Sequence, residues 1–143
     1  MARYEGKSLV VMVENSDGVE GALTFVTGAT VNDEYNAVQF EGDAEQSHLS
    51  GQLMAEVIVD YEYDSTSSTG NDAVLSGIFG SATPRFVRVQ PIGTGAPKIE
   101  YAMDAVLLKY GPTGVQRGER VMGQATFASH ANTTTTPAWA AQS

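Results

Sequence analysis

Between Gln52 and Tyr63 the chain alternates strictly. Ala55, Val57, Val59, Tyr61 and Tyr63 fall on one side, and Glu56, Ile58, Asp60, Glu62 and Asp64 on the other. A period of two belongs to extended backbone, so the stretch predicts a β-strand with one buried and one acidic face. Its length exceeds the ~5–6 residues of an ordinary strand, which predicts that part of it projects beyond the sheet or meets a partner chain. "KSLVVMVEN" (Lys7 to Asn15) is a second strand, stopped by the turn-rich "NSDG". "ALTFVTGATVNDEY" (Ala22 to Tyr35) predicts one or two strands broken near Gly28, and "NAVQFEGD" a short strand ending on Gly42.

The period then changes. Val74, Leu75, Ile78 and Phe79 recur at helical spacing, and Thr69 with Asp72 three residues on resembles a capping box, shortened because Asp reaches less far than Glu. A short amphipathic helix is expected, its four apolar residues packing on the sheet and Gly80 ending it. "TPRFVRVQP" (Thr83 to Pro91) restores a strand, and "IGTGAP" is a turn cluster. "KIEYAMDAVLLKY" (Lys98 to Tyr110) has helical propensity, but Ile99, Tyr101, Met103, Ala105 and Leu107 share a face at a period of two, so it reads as strand. "YGPTG" reads as a loop into "VQRGERVMGQATFAS", a long strand with Val121, Gly123, Ala125 and Phe127 on one side. Past Ser129, "HANTTTTPAWAAQS" is Thr-rich and poor in aliphatics, which predicts a flexible tail over 130–143 with Trp139 as its large anchor.

Composition fits one β-rich domain, over 1–129. The 143 residues are enough for one core and too few for two comfortable ones, and 42% hydrophobic against 17% charged residues argues for a folded body. A net charge of -9 repels phosphate backbones, so general nucleic-acid binding is not expected; a wall past which DNA slides without sticking remains compatible. The absence of cysteine removes disulfides, thiolate nucleophiles and Cys-based metal sites. No apolar run approaches the ~20 residues of a membrane span, and the N-terminus lacks a signal-peptide pattern, so a soluble protein made in the cytosol is expected.

Candidate chemistry is thin. His48, placed in a polar loop, and His130, at the edge of the tail, have no nucleophile-elbow serine or HExxH-type spacing around them. "GTGAPK" (Gly93 to Lys98) lacks phosphate-loop spacing and lies between two strands. "DSTSSTGND" lacks the calcium-loop alternation and its terminal Glu. The acidic row of Glu56, Asp60, Glu62 and Asp64 admits three readings. It is a solvated strand face, a carboxylate face that lines an assembly channel or pairs with Arg of a neighbour, or a glycosidase pair, since residues two apart on a strand lie ~6.5–7 Å apart. No enzyme activity and no cofactor are expected.

The order of parts in "EVIVDYEYD", the Ser/Thr-rich connection, "NDAVLSGIFG", "RFVRVQPIG", "KIEYAMDAVLLKY" and "GERVMGQATFAS" resembles the tail tube proteins of long-tailed bacteriophages, over about Gln52 to Ser129. It is a resemblance of architecture, and the type VI secretion tube protein shares it. The resemblance implies a mainly β fold, a β-sandwich or rolled barrel of two antiparallel sheets with one short flanking α-helix. It implies a structural virion protein that self-assembles into stacked hexameric rings, the conduit for DNA ejection. Glu56, Asp60, Glu62 and Asp64 become candidate intersubunit or lumen-facing residues. Partners would be further copies, a tape measure, a tail terminator and baseplate components, with genomic DNA passing unbound through the lumen. A capsid decoration or head–tail joining protein and a carbohydrate- or small-ligand-binding β-sandwich are the alternatives.

Overall fold

The computed structural model describes residues 8–41, 46–67, 69–115, 117–129 and 137–142. Within them, eight strands and one helix follow in the order β1 (Val10–Glu14), β2 (Glu20–Ala22), β3 (Val26–Glu41), β4 (Gln46–Glu62), α1 (Asn71–Ile78), β5 (Arg85–Gln90), β6 (Ile99–Gly114), β7 (Met122–Ser129) and β8 (Ala138–Ala141). The fold is mainly β with a single helix. Its strands form one hydrogen-bonded sheet, ordered β2-β1-β5-β6-β7-β4-β3 with β8 also on β6, instead of two separate sheets. All pairings are antiparallel. The sheet rolls, bringing β1 and β3 near each other, but β2 and β3 do not pair, so it stays open.

Rolling follows from the apolar alternation. Val11, Val13, Val57, Val59, Tyr61, Val87, Val89, Tyr101, Met103, Ala105, Leu107, Ala125 and Phe127 are all buried in one cluster on the concave side, and Leu75 and Ile78 of α1 join them. Register locks the face: Val57 lies opposite Phe127, Val59 opposite Ala125 and Tyr61 opposite Gly123. A Cβ on Gly123 would come 2.5 Å from the Tyr61 ring, so this glycine is the seat of the tyrosine. Each cross-strand pair thus fixes which residues face inward, and a slip by one would turn the acidic row into the core.

Several expectations change. The segment around "NAVQFE" is not a separate strand but the continuation of β3, which carries register shifts between Val26 and Gly28, where a break was expected, and between Tyr35 and Ala37. His48 lies in β4 opposite Gln39, not in a loop, because the hairpin pairing extends beyond the apolar alternation that marks the core. "YGPTG" belongs to β6, which absorbs Pro112 with a register shift between Pro112 and Gly114. The helix has Gly70 as its N-cap with no side-chain cap bond, so the Thr69/Asp72 box does not form. In the expected tail, Ala138–Ala141 pairs with Ile99–Ala102 of β6. A local reading misses this strand because its partner edge is distant in sequence. Gly42, His130 and residues 131–136 lie outside the described residues.

Candidate assembly surface

Glu56, Asp60 and Glu62 stand half-buried on the convex side of β4. Glu56 lies between Asn32 of β3 and Ala128 of β7, and Asp60 between Gly28 and Gln124. The Asp60 carboxylate accepts a hydrogen bond from the Gln124 side-chain amide at 3.0 Å. Glu62 pairs with Arg120 at 3.3 Å, but Arg120 is 79% exposed, so this ion pair adds little to stability. A glycosidase needs a carboxyl held protonated by burial beside an ionised one. This row lies along one face of the sheet, between residues of β3 and β7.

Asp64 departs from the row. It leaves β4 and organises the loop ahead of α1, accepting hydrogen bonds from Thr66 Oγ1 at 2.6 Å, Thr24 Oγ1 at 2.7 Å and the Thr66 amide at 3.0 Å. The Thr66 hydroxyl, then Thr24, then the Thr66 amide hold its carboxyl below the usual range, against a smaller opposing effect of burial.

The same corner contains Asn71, fully buried at the first residue of α1. Its amide nitrogen donates to the carbonyls of Thr24 at 3.0 Å and Glu62 at 2.8 Å, and its Oδ1 accepts from the Asp64 amide at 3.0 Å. One side chain therefore ties the end of β4, the approach to β3 and the start of the helix together. Gly70 permits the close fold of this loop, since a Cβ there would sit 2.6 Å from the Asp64 carbonyl oxygen. Sequence reasoning missed Asn71. Its signal, an Asn directly after Gly at a helix start, is common on solvated turns.

The four helix residues divide. Leu75 and Ile78 are core, Val74 packs half-buried beside them, and Phe79 follows the helix with 49% exposure, its ring edge-on to Tyr110 at 5.0 Å. Tyr63, 40% exposed, lies near the Asp72 carboxylate, whose charge pushes its phenol up. This leaves an aromatic patch at the end of the sheet where β4 meets the helix, with Phe25 nearby at 62% exposure and a φ of 52°.

The largest unpaired features are strand edges. β4 runs from Gln46 to Glu62, but β7 covers it only over Glu56–Glu62. Among the described residues, the remaining half has β3 on one side and no strand on the other, and β3 has β4 as its sole partner strand. A strand edge without a neighbouring strand is a template for pairing with another chain. The sequence showed only the inner part of this strand, Gln52 to Tyr63, as longer than usual; the outer residues around His48 read as a loop.

No protein-family model matches the chain, and no curated protein matches it. Solved structures do match it. One is a chain in the tail of an empty gene transfer agent particle refined with C6 symmetry, at 14% identity, covering 99% of this chain and 100% of that one, with a TM-score of 0.66. A second is a chain in the sheath–tube complex of PVC, an extracellular contractile injection system, in its extended state, at 10% identity over 94% and 88% with a TM-score of 0.64. A third, from the sheath/tube terminator of the same kind of system, is 8% identical over 100% and 99% with a TM-score of 0.67. This chain therefore shares, over nearly its whole length, a fold found in phage-like tails and contractile injection systems.

Proposed function

We propose that this protein is the tail tube subunit of a phage-like particle. Copies join head-to-tail into hexameric rings, and the rings stack into the conduit through which DNA leaves. The observation that carries this reading is the β3–β4 hairpin, half of which has no flanking strand among the described residues. The shared fold of gene transfer agent tails and injection-system complexes supports the kind of assembly, and C6 symmetry in one of them supports six copies per ring.

The mechanism is geometric. A head-to-tail contact uses different patches on the two copies, so it closes into a ring when the rotation per copy divides a full turn. The hairpin edge of one copy meets the body of the next, and its backbone groups find the partners that the monomer leaves vacant. The row of Glu56, Asp60 and Glu62 faces the lumen or the adjoining copy; a luminal acidic wall repels the phosphate backbone, so DNA passes without being held. The Asp64–Asn71 corner, α1 and the Tyr63/Phe79/Tyr110 patch serve the contact between copies or rings. The remaining partners are the proteins that measure, terminate and seat a tube, and the location is the virion tail after synthesis in the host cytoplasm.

Electron microscopy of the purified protein across a concentration series tests this. Six-fold rings or stacked tubes are the expected particles. Trimers that bind only capsids, or a monomer at every concentration, overturn the reading.

A further inference from the structure

β7 and β8 occupy the same edge of β6. Tyr101 and Ala102 are paired with β5 on one side, so β8, which pairs with Ile99–Ala102, lies on the other; Ala105 is likewise flanked by β5 and by Ser129 of β7. Ser129 stands opposite Ala105, and Ala138 opposite Ala102. These two positions on β6 are three residues apart, about 10 Å along the strand. Two residues would bridge that gap. The chain uses eight, 130–137, whose fully extended reach is about 30 Å.

The connection is therefore far longer than docking onto its own domain requires, while the element it delivers is small and self-contained. All four residues of β8 are exposed. Beside the backbone ladder to β6, its grip consists of the Trp139 ring edge-on to Tyr101 at 5.2 Å, and of Gln142, whose amide donates to the Lys98 carbonyl at 2.8 Å and whose side chain accepts from the Gly95 amide and donates to the Gly93 carbonyl, both at 2.9 Å. Every group that receives β8 and Gln142 belongs to the body of the domain: the Lys98–Ala102 edge, the Tyr101 ring and the Gly93–Gly95 turn. This receptor is the same whichever copy's strand fills it.

We propose that β8 is an exchangeable strand. In the isolated chain it closes its own β6 edge, and when copies are held side by side it crosses to β6 of a neighbour, tying the two together at no loss of pairing. The two states have the same contacts, so the balance is set by local concentration. The tether favours the chain's own strand in dilute solution, and packing of neighbours within the reach of the connection makes exchange competitive. This rests on the proposed association of copies, but not on the form that it takes.

The register supplies the test, in a chain whose lack of cysteine gives no background. Ala102→Cys and Ala138→Cys are made together in one chain, and also separately in two chains that are mixed before assembly and then oxidised. The Ile99/Ala141 pair repeats the experiment at a second position. The dilute double variant is expected to form an internal disulfide, and the assembled mixture to give covalent dimers on a non-reducing gel. Failure of both pairs to link within the dilute chain removes the docking from which the proposal starts. Rings or tubes without inter-copy disulfides overturn exchange alone and leave the tube reading intact. Covalent dimers without rings leave exchange standing and remove the tube; neither product removes both.

Discussion

The two ends of β4 obey different rules. From Ala55 to Tyr61 every second residue is buried, flanked by β3 and β7 and seated against Phe127, Ala125 and Gly123. From Gln46 to Met54 the same strand continues with β3 as its one neighbour among the described residues. The first half is held by side-chain packing, which one chain supplies by itself. The second is a backbone ladder with one open edge, a form that needs a further strand to be satisfied. On the proposed reading, stability and assembly fall to different parts of one strand, and a substitution should affect one or the other according to where it falls.

The largest stability effect is expected in the packed half. Tyr61, 1% exposed, fills the space over Gly123, so Tyr61→Ala should cost about 3–5 kcal/mol in urea unfolding. A cost under about 1 kcal/mol would mean that this half is not the anchor. Next is Asn71→Ala, which strands two partly buried carbonyls and the Asp64 amide and should cost about 1–3 kcal/mol while leaving the far-ultraviolet β signal in place. A neutral result would show that water replaces the side chain.

A smaller effect depends on pH. The Asp64 carboxyl is held below its usual range in the folded chain, so its contribution is complete above about pH 4 and is lost as the pH falls through the lowered folded value. The unfolding midpoints of the wild type and Asp64→Ala should therefore differ at neutral pH and converge in acid. A gap unchanged down to pH 2 would contradict the assigned hydrogen bonds. Smallest is Glu56→Gln on the open face, expected to shift stability by less than about 0.5 kcal/mol. A larger shift in the isolated chain would mean that the acidic row serves the body as well as the contact.

The difference between the halves also explains what was legible. Alternation exposed β4, β6 and β7 because burial on one face imposes a period of two, even where helical propensity favoured the wrong element in Lys98 to Tyr110. Outside the core that signal ends: His48 sits in strand, yet nothing in its polar surroundings demands a period. β8 was read as tail for a related reason, since four residues held by a distant edge have no local pattern. The acidic row was visible, but Asp64 left it, because three hydrogen-bond donors in Thr24 and Thr66 take its carboxylate into a loop. Asn71 was hidden because its value lies in three backbone groups that the fold gathers around it, one of them on Thr24, 47 residues away.

The central claim is that the outer part of the β3–β4 hairpin serves other copies and not its own domain. Ala37 and Ser50 are paired, so residues 38–49 can be replaced by a two-residue Asn-Gly turn without disturbing the register below. Electron microscopy and urea unfolding of this shortened chain beside the intact one give the most direct measurement. Rings from the intact chain, and from the shortened one only monomers that unfold with the same midpoint, are the predicted result. Identical rings from both chains, or a body that no longer folds once the hairpin is trimmed, would contradict it.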